Sequence, residues 1–224
     1  TTAMSGVYTL SVYNGTCTST AATTATVTAQ PTASITGNNS PVCEGSSLTL
    51  TGNSVSGATY SWYGPTGLIG TGTNFTVSPV PLTWAGTYTY TITLLNCTPS
   101  STTTVTVINA RPTAVASSNT PVCEGTTIEL YGSGGTTYSW TGPGGFTSTA
   151  QNPTRTSATT AMAGTYTLTV NDGTCTSIPA TTTVVVNPTP TANPGNDGPV
   201  CEGGTLNLTS STTATSFSWT GPNG

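Results

Sequence analysis

Apolar and polar residues alternate along short stretches of this chain, and no stretch shows the three-to-four spacing of a helix. In Ser47-Leu48-Thr49-Leu50-Thr51 the leucines fall on one side of an extended backbone and the hydroxyls on the other. That is the pattern of a half-buried strand. Thr59-Tyr60-Ser61-Trp62-Tyr63 reads the same way and is stopped by Gly64-Pro65. Gly86-Thr87-Tyr88-Thr89-Tyr90-Thr91-Ile92-Thr93-Leu94 alternates throughout, and a turn at Asn96-Cys97 leads into a strand at Thr102-Val107. Shorter strands are expected at Pro31-Thr36, opened by a proline where no ladder donor is needed, and around Phe75-Thr76-Val77. Short alternating strands separated by Gly, Pro and Asn predict an all-β chain of sandwiches, each of two antiparallel sheets.

The pattern recurs. Pro41-Val42-Cys43-Glu44-Gly45 returns as Pro121-Val122-Cys123-Glu124-Gly125 and Pro199-Val200-Cys201-Glu202-Gly203, at steps of 80 and 78 residues. Trp62, Trp140 and Trp219 keep pace, each after an aromatic-Ser pair and before x-Gly-Pro. So do Tyr8, Tyr88 and Tyr166, each closing Gly-x-Tyr, and Cys17, Cys97 and Cys175. The Leu48/Leu50 pair has counterparts in Ile128/Leu130, with Glu129 facing out between them, and in Leu206/Leu208. A repeat of this length is a domain copied in tandem. The boundaries read as a C-terminal part of a repeat at 1–29, complete repeats at 30–109 and 110–188, and an N-terminal part at 189–224. Thr1-Tyr8 matches Thr159-Tyr166, and Trp219-Gly224 matches Trp140-Gly145, so the chain is expected to be a window on a longer array.

Composition narrows the function. The chain has no His and no Lys, its two arginines are Arg111 and Arg155, and its acids are Glu44, Glu124, Glu129, Glu202, Asp172 and Asp197. So few basic groups argue against nucleic acid, which needs cations to displace counterions, and against anionic lipid surfaces. No apolar run reaches membrane-spanning length. Two cysteines per repeat at fixed places suggest disulfides and an oxidising, extracellular setting. Metal binding is disfavoured, because no His is present and no Cys-x-x-Cys pair occurs. No cofactor is expected.

Leu-x-Leu, then Trp, then Ala-Gly-x-Tyr resembles the immunoglobulin-type sandwich, with a core Trp on the third strand and a tyrosine corner on the sixth. The core disulfide of antibody domains is missing: Leu10, Tyr90 and Leu168 stand where it would place a cysteine. The whole chain resembles the immunoglobulin-like and PKD-like repeats of Bacteroidota surface proteins. It shares their Cys-x-Gly before the second strand, Ser-Trp-x-Gly-Pro, Ala-Gly-x-Tyr and Asn-Gly-x-Cys. The resemblance implies a large adhesin or filament exported by the type IX system, as in gliding, and carries no binding site with it.

The sandwich topology of that resemblance puts Cys43 and Cys97 at opposite ends of one unit, further apart than the roughly 4.4–6.8 Å between Cα atoms that a disulfide accepts. It implies pairing across a joint, Cys43 with Cys175, and Cys123 with a cysteine beyond Gly224. The alternative is pairing within units, Cys43–Cys97 and Cys123–Cys175. Short proline-bearing linkers near Gln30-Pro31, Ala110-Arg111-Pro112 and Pro188-Thr189-Pro190 are already stiff. Isopeptide cross-links would need lysine.

Other candidates have simpler readings. Trp62, Trp140, Trp219, Tyr8, Tyr88 and Tyr166 read as structural core rather than sugar platforms. Trp84 reads as a partly covered residue, because Met4 and Met162 occupy its place. Tyr60, Tyr63, Tyr90, Tyr131 and Tyr138 are expected to pack with a hydrogen-bonding edge. The recurring glutamates Glu44, Glu124 and Glu202 read as turn residues whose carboxylates accept backbone hydrogen bonds. Asp172 and Asp197 sit in turn contexts. The Asn-x-Ser/Thr matches at Asn14, Asn38, Asn74, Asn96 and Asn207 read as coincidences of a threonine-rich chain. An enzyme is not expected, for want of a nucleophile with a base or a convergent acid pair. The expected role is the shaft of an extracellular filament or giant adhesin. Its partners would be neighbouring repeats and, in a fibre or bundle, identical chains. The alternative is a module binding surface polysaccharide or another cell, or a spacer attached to a secreted enzyme.

Overall fold

The computed structural model describes residues 2–95 and 97–222. The chain divides into two compact units, Thr1–Arg111 and Pro112–Gly224. Asn96, one of the glycosylation matches, lies outside the described residues.

The first unit opens with a hairpin of β1 (Gly6–Tyr13) and β2 (Thr18–Ala25). A three-stranded sheet follows from β3 (Ile35–Asn38), β5 (Leu48–Gly52) and β8 (Asn74–Val77), with β5 in the centre. A four-stranded sheet runs in the order β10-β9-β6-β7, from β6 (Thr59–Gly64), β7 (Gly67–Thr71), β9 (Gly86–Thr93) and β10 (Ser100–Thr106). The short β4 (Val42–Cys43) pairs in parallel with β11 (Ile108–Asn109).

The second unit repeats this plan. Strands β12 (Val115–Ser118), β14 (Ile128–Ser133) and β17 (Thr154–Arg155) make one sheet. Strands β15 (Thr137–Gly142), β16 (Phe146–Ser148), β18 (Gly164–Asn171) and β19 (Ala180–Val184) make the other, ordered β16-β15-β18-β19. Strand β13 (Val122–Cys123) pairs in parallel with β20 (Val186–Asn187). A second hairpin, β21 (Ala192–Asn196) with β22 (Leu208–Thr212), completes the unit.

Alternation decides which side chains are inside. Along β9, Tyr88, Tyr90 and Ile92 are buried while the threonines between them face out; β18 buries Tyr166, Leu168 and Val170 in the same way. They close on Leu48, Leu50 and Trp62 in the first unit, and on Ile128, Leu130 and Trp140 in the second. The same parity turns Tyr63 and Tyr131 outward, contrary to the packing role the sequence suggested. Tyr131 instead donates its hydroxyl to the Glu129 carboxylate beside it on the outer face. Tyr60 and Tyr138 are half-buried and donate to Val55 O at 2.7 Å and Gly135 O at 2.8 Å.

The first strand starts later than the sequence suggested, at Ile35 rather than Pro31. The preceding amides are taken by side chains: Ala33 N donates to Ser100 Oγ at 3.1 Å and Ser34 N to Asn53 Oδ1 at 2.8 Å. Those amides therefore have no ladder partner to make.

A tyrosine hydroxyl pins the start of each long strand. Tyr88 donates to Trp84 O at 2.8 Å, Tyr166 to Met162 O at 2.9 Å and Tyr8 to Met4 O at 2.8 Å. The Ser-Trp-x-Gly-Pro motif makes room for this ring. A Cβ on Gly142 would lie 2.5 Å from Tyr166 Cδ1, and one on Gly64 would lie 2.9 Å from Tyr88 Cε1. Arg155 adds a brace: its Nη1 donates to Tyr166 Oη at 2.6 Å and to Pro143 O at 3.0 Å. Its guanidinium also lies 5.0 Å from the Phe146 ring centroid.

The two cores differ at several positions, among them Val80 for Ala158 and Ile92 for Val170. Tyr90 stands where the second unit has Leu168, and a Cβ on Gly52 would lie 2.3 Å from its ring. Its hydroxyl donates to Asn53 O at 2.7 Å, and burial first, then neighbouring Tyr60, pushes its pKa up to about 12. Trp84 is half-covered and stacks on Phe75 with centroids 5.9 Å apart.

Two substitutions test this packing. Gly142→Ala should lower stability by about 1–3 kcal/mol through overpacking against Tyr166. Tyr166→Phe should cost about 1–2 kcal/mol by leaving the Met162 carbonyl without its hydroxyl donor. Urea unfolding followed by tryptophan fluorescence reads both, and unchanged midpoints would contradict the tyrosine anchor.

Candidate functional site: the cysteine-bearing turns

The first cysteine of each repeat lies in a turn built by a left-handed glycine. Gly45 and Gly125 have φ of +75° and +85°, a region that side chains with a Cβ rarely enter. Glu44 N donates to Asn109 O at 2.9 Å, Gly45 N to Val80 O at 2.8 Å and Ser46 N to Cys43 O at 3.0 Å. In the second unit Glu124 N donates to Asn187 O at 2.8 Å and Gly125 N to Ala158 O at 2.8 Å. The carbonyl of Glu44 accepts from Arg111 Nε at 2.5 Å, and that of Glu124 from Thr189 Oγ1 at 3.4 Å. The recurring glutamate thus holds the turn through its backbone, a correction to the carboxylate role the sequence suggested.

The second cysteine of a repeat lies in the loop after the long strand. Asp172 Oδ1 accepts from Thr174 N and Cys175 N, both at 2.8 Å. Asn14 Oδ1 does the same for Thr16 N at 3.0 Å and Cys17 N at 2.8 Å. These backbone donors hold the Asp172 carboxyl below its ordinary value of 3.8. Asp197 is lowered in the same sense by Asn207, whose N donates to it at 2.8 Å.

Strand register places the two cysteines of a unit at opposite poles. Cys123 pairs with Asn187, just beyond Val184, which faces Gly164 at the start of β18. Cys175 lies past Asn171, where β18 ends. About seven residues of strand separate these poles, roughly 23 Å, several times the span of a disulfide. In the first unit Cys43 pairs with Asn109, beyond the Thr106–Gly86 end of β9, and Cys97 follows the other end.

The oxidation states divide accordingly. Cys43 and Cys175 are disulfide-bonded. Cys17, Cys97, Cys123 and Cys201 are free thiols. The pairings within units, Cys43–Cys97 and Cys123–Cys175, are therefore not formed, for the reason of distance just given.

The remaining candidates serve the fold. Trp62 and Trp140 are fully buried, so neither offers a ring to a sugar. Trp219 and Tyr8 stand exposed, and among the described residues the β1–β2 and β21–β22 hairpins pair with no further strand. Asn38 Nδ2 donates to Thr104 Oγ1 at 3.0 Å, which makes it part of the edge between β3 and β10. An open groove of about 340 Å³ along that edge is lined by Ile35, Thr36, Asn38, Thr102, Thr103 and Thr104. Among the described residues no three His, Cys, Asp or Glu side chains gather as a metal site. No described helix is long and apolar enough to cross a membrane.

Residues 30–112 match the family model described as Ig-like domain CHU_C associated. Comparison with curated proteins finds no match. Among solved structures the chain is similar to three N-terminal domains of the bacteriophage RB49 Highly Immunogenic Outer Capsid protein (Hoc). That likeness has 20% identity and a TM-score of 0.38, and covers 81% of this chain and 68% of that one. It is also similar to murine CEACAM1b, at 14% identity, 69% and 99% coverage and a TM-score of 0.32. A third is the N-terminal eight Ig domains of Down Syndrome Cell Adhesion Molecule, at 13% identity, 84% and 28% coverage and a TM-score of 0.42. The chain is an all-β array of immunoglobulin-like antiparallel sandwiches in tandem.

The Asp172 turn has a pH signature. A carboxyl whose folded pKa is depressed adds stability above its unfolded pKa and loses it as pH falls through the folded value. Asp172 should therefore titrate below 3.8 by NMR, and the turn presenting Cys175 should loosen only in that acid range. Asp172→Ala should bring faster amide exchange at Thr174 and Cys175 at neutral pH. An ordinary titration, or unchanged exchange, would contradict the turn's dependence on this carboxylate.

Proposed function

We propose that this segment is the shaft of an extracellular filament or giant surface adhesin, of the kind Bacteroidota export to the cell surface. In this reading Cys43 bonds to Cys175 and staples successive repeats. The observation that carries the proposal is the division of the cysteines: Cys43 and Cys175 are disulfide-bonded and Cys17, Cys97, Cys123 and Cys201 are not, in units that bury Trp62, Tyr88, Trp140 and Tyr166 and present threonine outward. Such units fit load-bearing and reach better than chemistry. Closing a loop of about 130 residues removes unfolded-state entropy worth about 4–5 kcal/mol. Resistance to proteolysis fits the same role. Arg111 precedes Pro112, and Arg155 is half-buried with its guanidinium hydrogen-bonded.

Peptide mapping of the unreduced chain tests the staple. The peptide holding Cys43 should remain linked to the one holding Cys175, and Cys43→Ser and Cys175→Ser should lower the melting temperature equally. A linkage of Cys43 to any other cysteine sinks this reading. The native chain should also stay intact in trypsin under conditions that cleave the reduced, denatured chain at Arg155.

A further inference from the structure

One turn is built twice in this chain from two different side chains, Asn14 and Asp172. In each case the backbone N–H of that residue donates to the carbonyl of the cysteine three residues on, Cys17 or Cys175, at 3.2 Å. Asn14 Oδ1 accepts from Thr16 N at 3.0 Å and Cys17 N at 2.8 Å, and Asp172 Oδ1 accepts from Thr174 N and Cys175 N, both at 2.8 Å. An amide and a carboxylate therefore fill the same place and hold the same bonds. Both residues are exposed, Asp172 within a complete sandwich, so access from solvent belongs to the turn itself.

The residue after each of them is a glycine, but the two glycine nitrogens differ. Gly173 N donates to Asn171 Oδ1 at 2.7 Å. Tyr13 stands in the place of Asn171 and donates its own hydroxyl to Gly15 O at 2.6 Å, so it offers Gly15 N no acceptor. A hydrogen bond made by the neutral form of a group disfavours its ionisation, and Gly15 N is spared that restraint. Gly15 also leaves its nitrogen unshielded, since a Cβ there would meet nothing within 4 Å. The other Asn-Gly pair, Asn223-Gly224, lies outside the described residues.

The side-chain carbonyl of Asn14 is polarised at the same time. Thr16 N and Cys17 N point at Oδ1, where negative charge gathers when a nucleophile adds to Cγ. Paired backbone donors aimed at such an oxygen stabilise the tetrahedral state.

We propose that Asn14 is a self-modifying site, at which Gly15 N attacks Asn14 Cγ and the side-chain amide leaves as ammonia. The new Cγ–N bond closes a succinimide ring as the Cγ–Nδ2 bond breaks, and the Gly15 N–H proton departs with the ammonia. Water then opens the ring to an aspartyl or isoaspartyl residue. Nothing is oxidised or reduced, and water is the one co-reactant. The aspartyl product reproduces the Asp172 turn and adds one negative charge to the net −4 of the chain. The turn that presents Cys17 thus acquires its acid with time.

The test is incubation of the full chain at neutral pH in water enriched in heavy oxygen, followed by peptide mapping. The peptide holding Asn14 should gain an acid carrying one heavy oxygen before any other asparagine among the described residues does. It should convert about 10-fold faster than a synthetic peptide of residues 11–18, which is too short to hold the hairpin. Two variants isolate the role of the glycine nitrogen, with circular dichroism to check that both fold. Asp172→Asn alone should convert more slowly than Asn14, because Asn171 still holds Gly173 N. Asp172→Asn combined with Asn171→Tyr should match Asn14. An Asn14 that outlasts another asparagine, a chain no faster than the peptide, or equal rates in the two variants would each overturn the proposal.

Discussion

The inward alternation of one long strand governs the rest of each unit. Because Tyr166, Leu168 and Val170 must face Trp140 and Leu130, β18 cannot slip by one residue without exposing its whole apolar set. The hydroxyl bond to Met162 fixes where the strand begins, and Gly142 yields the space for the ring. Once the register is fixed, the loop carrying Cys175 must emerge at one pole. The parallel pairing of Val122–Cys123 with Val186–Asn187 holds the other cysteine at the opposite pole. The core therefore decides the cysteine chemistry: neither thiol of a unit can reach its own mate.

This arrangement needs almost no charge. The outer faces carry rows of threonine, the acids sit mostly in turns, and one of the two arginines braces the aromatic corner. Hydroxyls on a pleated surface satisfy strand propensity and leave little for salt or pH to modulate. A unit so built can be copied in series with few long-range electrostatic consequences.

Much of the fold was legible in the sequence because parity and punctuation are local. Leu48-Thr49-Leu50 and the Gly-x-Tyr strands declare their buried faces, and Cys-Glu-Gly declares a turn, whose left-handed glycine the structure adds. The differences have physical causes. Pro31-Thr36 is extended by composition, but Asn53 and Ser100 claim the amides that a ladder would need. Tyr63 and Tyr131 are packing residues by type, although the alternation of their own strands already turns them outward. The recurring glutamates hold their turns through main-chain groups that any residue would supply, and nothing in the structure explains the choice of glutamate. Arg155 is, in the sequence, one of two basic residues with no assigned role; its contacts with Phe146, Pro143 and Tyr166 depend on residues brought together only by folding.

A bond between Cys43 and Cys175 would change how the chain carries load. Tension applied at the two termini would pass through the bond and bypass about 130 residues, a contour of roughly 450 Å at full extension. Single-molecule stretching of the chain by its ends, with and without reductant, tests this most directly. The account predicts that the oxidised chain stops short by about that length and that reductant releases it as unfolding steps. Equal final lengths in the two conditions would contradict it.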